Sequence, residues 1–155
     1  MSSSAEDARQ RTKVYLETYL TAANLLVDAG VDQVKFIVFF SNPNYPVARM
    51  FTDKFVDLSF AIGEPESKGV IDSDHYTIGY DEHVPITIYA MDKEGITADK
   101  LKWQAERELR RVVETYPIAT GSSRGLLTRS GLSETFGGKM LRSSKWILNY
   151  KRDTT

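Results

Sequence analysis

Apolar residues recur along this chain with two periods, and the switches between them mark out its elements. Over "AEDARQRTKVYLETYLTAANLLVDAG", Leu16, Leu20, Ala23 and Val27 fall at helical spacing and Gly30 stands where a C-cap would, which predicts a first helix. "QVKFIVFF" is apolar at nearly every position and predicts a strand covered on both faces. "SNPNYP" then breaks the chain into a loop over 41–53. From Phe55 to Ile62 the period is two: Val56, Leu58, Phe60 and Ile62 share one face, while Asp57, Ser59 and Ala61 share a wet one.

The acidic "GEPESKGVIDSD" reads as a surface loop over 63–74. Tyr76, Ile78 and Tyr80 alternate again, as do Val84, Ile86, Ile88 and Ala90 beyond "DEH", so two strands joined as an antiparallel hairpin are expected there. Pro85 cannot donate to a ladder and should begin the second of these strands or lie at an edge. A second helix opens at Thr97, with Leu101, Ala105, Leu109, Val112 and Tyr116 as its buried stripe and Pro117 as its stop. A glycine- and serine-rich stretch follows, and a last strand alternates Trp146, Leu148 and Tyr150 with Lys145, Asn149 and Lys151.

Strands that come as a block between two helices predict an α+β fold, a mainly antiparallel sheet with two principal helices packed on it. At 155 residues this is one domain, with residues 1–9 a flexible start and 118–139 a long glycine-rich loop. The chain has no cysteine, which excludes disulfides, thiol catalysis and cysteine-held zinc. "MSSSAEDARQ" lacks the apolar core of a signal peptide and "FIVFF" is too short to cross a bilayer, so an unexported protein without membrane contact is expected.

A net charge of −1 conceals a separation that composition alone misses. Residues 53–82 hold eight acids against two lysines, whereas 117–152 hold seven bases against Glu134. Opposite patches on one chain suit head-to-tail contact between identical subunits, or they interleave on a mixed surface. Glu64 and Glu66 on the acidic side, and Arg124, Arg129, Lys139 and Arg142 on the basic side, are the candidate subunit interface.

Chemistry is sparse. His75 and His83 flank the expected hairpin and, with Asp74 and Glu82, form a candidate divalent-metal set; solvated strand ends account for them better, and no metal or cofactor is assigned. "GSSRG" and "TFGGK" lack phosphate-loop spacing. The basic C-terminal third with its aromatics offers a nucleic-acid surface as an alternative function, although Trp146 and Tyr150 share an apolar face and belong to the core. Glu106 with Arg110, and Glu108 with Arg111, read as ion pairs on the solvent side of the second helix.

A long first helix, a β block ending in "VPITIYAMDKEG", a charged helix "ITADKLKWQAERELRRVVETYP", a glycine-rich loop and a closing "KWILNYKRD" together resemble the tail-terminator and tail-completion proteins of tailed phages and related viruses. That resemblance implies a non-enzymatic virion protein of the tail or neck, assembled in the host cytoplasm. It implies a ring, commonly hexameric, that caps the tail tube and joins it to the head connector, with those proteins and the chain itself as partners and a possible DNA contact.

Overall fold

The computed structural model describes residues 4–25, 34–42, 44, 57–71, 74, 77–92, 97–118, 125–129, 135–136 and 141–153. Among these, helix α1 spans Ser4–Tyr19 and a 3-10 turn Ala22–Leu25. Strands β1 (Phe36–Phe40), β2 (Leu58–Ile62), β3 (Glu66–Ile71) and β4 (Thr77–Met91) follow, then helix α2 (Ala98–Thr115). Strands β5 (Leu126–Arg129), β6 (Thr135–Phe136) and β7 (Leu141–Asp153) complete one seven-stranded sheet in the order β1-β2-β4-β7-β5, with β3 paired to β4 and β6 to β7. Only β1 and β2 run parallel. The α+β class with a mainly antiparallel sheet is therefore the architecture of the chain.

Both helices lie on the face presented by Leu58, Phe60, Ile62, Val84, Ile86, Ile88, Trp146 and Leu148, and one continuous core joins them. Helix α2 contributes Leu101, Ala105, Leu109 and Val112, all fully buried, as the spacing predicts, while Tyr116 falls just past the helix as its extended C-cap and is partly buried against the core. Thr97 caps it by accepting from the Lys100 amide at 3.3 Å, and the Asp92 carboxylate takes the Ala98 amide at 2.6 Å. Helix α1 is shorter than its apolar pattern, ending at Tyr19; Leu16 and Leu20 are buried, while Val27 and Gly30 lie outside the described residues. It starts at Ser4, and Ala8 and Arg9 are already engaged, so the expected flexible start is helical from its fourth residue.

Four expectations need correction. First, the two strands expected around Tyr80 and over Val84–Ala90 are one unbroken strand, β4, from Thr77 on, because "DEH" is flanked by partners on both sides: β3 pairs Glu66 with His83, and β7 pairs Asn149 with His83; Tyr76 lies outside the described residues. Second, the acidic loop contains β3, the real partner of the first half of β4. Its polar composition hid it, since pairing to β4 supplies its order in place of a buried face. Third, β2 is buried at every position, Ser59 and Ala61 included, while β1 is a half-buried edge. Ser59 and Ala61 are small and lie between the larger Ile37, Phe39, Thr87 and Tyr89 on the two neighbouring strands, whereas β1 has a neighbour on one side. Fourth, the glycine-rich stretch 118–139 holds β5 and β6, both paired to β7.

Pro85 lies inside β4, between β2 on one stretch of its margin and β3 on the next. Ile62 pairs with Ile86 and Glu66 with His83, so Gly63, Glu64 and Pro65 oppose only Pro85 and Val84. That one extra residue is a bulge. The Gly63 amide donates to the Pro85 carbonyl at 2.9 Å, which points the proline's absent N–H at this break, where no ladder bond is lost. A Cβ on Gly63 would stand 3.2 Å from Pro85 Cβ, so glycine permits the close crossing.

Candidate functional site

The bulge divides the sheet into two regions. Beyond it β3 takes the place of β2 beside β4, while β5, on the far side of β7, overlaps β3 in one row, that of Glu66 and Leu126; the two margins of this sheet, β3 and β5, carry the charge separation seen in the sequence. Glu64, whose side chain is 81% exposed, sits in the bulge and reaches Arg9 at 3.8 Å. Glu66 is exposed at the start of β3, Asp74 is exposed near its end, and Asp81 is half-buried on β4. At the other margin Arg129 is exposed on β5, and β7 carries Arg142, Lys145 and Lys151. The two signs interleave only in the row Lys68–Asp81–Lys151.

The six candidate interface residues therefore divide. Glu64 and Glu66 stand on one margin of the sheet and Arg129 on the other. Arg142 is turned to the helix side, where its Nε lies 3.2 Å from Asp99 in the first turn of α2. Arg124 and Lys139 lie outside the described residues.

Two basic-aromatic clusters flank α2. The Arg107 guanidinium lies 5.0 Å from the centroid of Trp103, an indole 54% exposed. Arg110 and Arg129 lie 5.7 and 5.5 Å from the centroid of buried Trp146, whose Nε1 donates to Ser144 Oγ. Each guanidinium covers an aromatic face while keeping its own face toward water.

Glu108 departs from its expected solvent-facing role: its side chain is 1% exposed. It accepts from the Thr21 amide at 2.7 Å, from Asn24 Nδ2 and from Arg111, whose other nitrogen donates to the Tyr19 carbonyl at 3.1 Å. The Glu108 carboxylate accepts a hydrogen bond from Arg111 and so raises the guanidinium pKa further above its usual range. A recess of about 290 Å³ lined by Asn24, Gln104, Arg107, Glu108 and Arg111 opens beside them. The carboxylate closes the end of α1 onto α2. The helical phase contained the signal: Leu101, Gln104, Ala105, Glu108, Leu109 and Val112 follow the spacing of a buried face, and the pairing of Glu108 with Arg111 masked it.

The candidate metal set is dispersed. Glu82 and His83 are neighbours on β4 and so point to opposite faces: Glu82 is fully buried on the helix side, where it accepts from Ser67 Oγ, and His83 faces the other side. His75 lies outside the described residues, and among those described no cluster of three metal-ligating groups occurs. His83 is held by Asn149, whose Nδ2 donates to the Leu126 carbonyl at 3.0 Å and to Thr128 Oγ1 at 3.2 Å. Its Oδ1 therefore meets the ring, and His83 Nδ1 donates to it. A shallow recess of about 280 Å³ with Leu126 and Lys151 on its rim adjoins this pair.

Among the described residues no helix is long and apolar enough to cross a membrane. No protein-family model and no curated protein matches the chain.

Proposed function

We propose that this chain is a structural ring subunit of the tail-terminator and tail-completion kind, capping a tail tube and joining it to a head connector. The observation that supports this reading is the separation of charge to opposite margins of one sheet, Glu64 and Glu66 against Arg129. A ring needs two different patches that fit each other, and margins of opposite sign supply such a pair. Light scattering of the full chain, with images of single particles, should give closed rings, hexamers by the resemblance.

Exposed ion pairs contribute about 0–1 kcal/mol each, so one reversal can be silent. Arg124→Glu with Arg129→Glu together should weaken association about tenfold per interface while the monomer stays folded, its melting temperature lowered only by the lost contact of Arg129 with Trp146. Adding Glu64→Lys and Glu66→Lys should restore it. A chain that stays monomeric at high concentration overturns the proposal.

The exposed Trp103 under Arg107, with Arg110 nearby on the same helix, favours a second reading as a nucleic-acid-binding module. A monomer that shifts DNA in a salt-sensitive way, and loses the shift on Arg107→Ala with Arg110→Ala, would put this reading first.

A further inference from the structure

The path β3-β4-β7-β5 ends in two strands that each have one partner among the described residues. Among the described residues nothing pairs with the outer edge of β3 or of β5. Four large apolar side chains in the described chain are more than half exposed, and two of them sit on these edges: Ile71 at 61% on β3 and Leu126 at 64% on β5. Free edges that carry exposed apolar residues are templates for another strand.

We infer that subunits join by strand addition, β5 of one copy pairing antiparallel with β3 of the next, an interface that rests on the self-association proposed above. Direction permits it. Successive strands across β3-β4-β7-β5 alternate in direction, so β5 of one copy meets β3 of a neighbour in the same orientation as an antiparallel partner.

Side-chain alternation then selects the register. Ser67 and Gly69 of β3 share the helix face with Glu82 and Tyr80, and Leu127 and Arg129 of β5 share it with Leu148 and Trp146. Paired residues must lie on the same face. One register meets that condition and keeps all four residues of β5 opposite β3 before the irregularity between Val70 and Ile71: Leu126 with Val70, Leu127 with Gly69, Thr128 with Lys68, Arg129 with Ser67.

The backbone agrees. Pro85 directs its carbonyl toward the β2–β3 side and Met91 its amide likewise, to Asp57. Alternation along β4, β7 and their partners leaves the outward-pointing groups on Ser67 and Gly69 of β3 and on Leu127 and Arg129 of β5. These are the residues that the register sets opposite one another. Leu126 gains Val70 as an apolar neighbour, Gly69 leaves room beside Leu127, and Arg129 arrives on the face where Glu82 lies behind Ser67. Within one copy the two edges are staggered, sharing only the row of Glu66 and Leu126, and such a stagger is what lets a laterally joined sheet curl and close.

The cysteine-free sequence allows a direct test by cross-linking. Lys68→Cys with Thr128→Cys places thiols opposite each other across the inferred interface. Inside one subunit β4 and β7 hold these positions about 14 Å apart across the sheet and about 13 Å apart along it, beyond the ~7 Å that a disulfide tolerates. Oxidation of the full-length double variant should give a ladder of covalent multimers ending at the ring number. Ser67→Cys with Thr128→Cys, on opposite faces, should give none. Gly69→Pro removes one outward amide at an exposed edge and should weaken assembly at least tenfold. Rings that form without a ladder, or that link equally in both double variants, overturn strand addition while leaving the ring proposal standing. A chain that never self-associates overturns both.

Discussion

A single carboxylate, Glu108, closes the junction between the two helices, and its removal should be felt throughout the fold. Glu108→Ala would leave the Thr21 amide and the Arg111 guanidinium without their shared acceptor. Hydrogen bonds to a charged group contribute about 1.5–3 kcal/mol, so urea unfolding should report a loss of about 2 kcal/mol or more. Tyr15 ties the same helices about one turn away, its single hydroxyl proton shared between the carbonyls of Val112 at 2.9 Å and Tyr116 at 2.7 Å. Burial, with Tyr19 adjacent, pushes its pKa up to about 12. An unfolded tyrosine ionises near pH ~10, so the native state holds the proton between about 10 and 12 while the unfolded state gives it up. The stability from this group is complete below pH ~10 and is lost as the pH rises through about 12. Melting followed from pH 9 to 12 should fall more steeply for the natural chain than for Tyr15→Phe, which at neutral pH costs about 1 kcal/mol. Glu108 and Tyr15 differ in how far sequence reveals them. The stripe around Leu109 was legible because apolar periodicity reports burial directly. The tie from Tyr15 to α2 was not, because it joins residues far apart in the chain.

At the scale of elements, strands with a buried face announced themselves and strands without one did not. Alternation located β2, the second half of β4 and β7 because Leu58, Ile86 and Leu148 must be hidden under the helices. β3 and β5 have mostly exposed positions, and their order comes from hydrogen bonding to β4 and β7, a signal that no periodicity carries. The position that fixes β5 is Gly125. A Cβ there would lie 2.8 Å from Leu148 Cδ1 and 3.5 Å from Val113 Cγ1, and Leu148 is fully buried and has little room to yield. Gly125→Val should therefore cost about 1–3 kcal/mol through overpacking and release β5 from β7. Faster amide exchange at Leu126 and Thr128, whose backbone groups face β7, with the amides of α2 unchanged, would locate that loss.

For the molecule as a whole, the segregation of acids and bases was legible as a difference between two stretches of sequence, but its placement was not. Charge along a chain becomes charge on a surface only once the topology is known. Here the topology puts 66–71 and 126–129 at opposite margins of one sheet, with β4 and β7 between them. The pairing of β4 with β7 also bears on how the protein is made. β7 lies between β4 and β5, yet at least 49 residues of chain separate Met91 from Leu141. Until Leu141–Asp153 has left the ribosome, β4 has an empty side along its whole length and β5 and β6 have no partner at all. The nascent chain therefore waits as a half-built sheet with apolar rows uncovered, and its completion is a late, long-range event of the kind that makes folding slow and leaves intermediates open to aggregation.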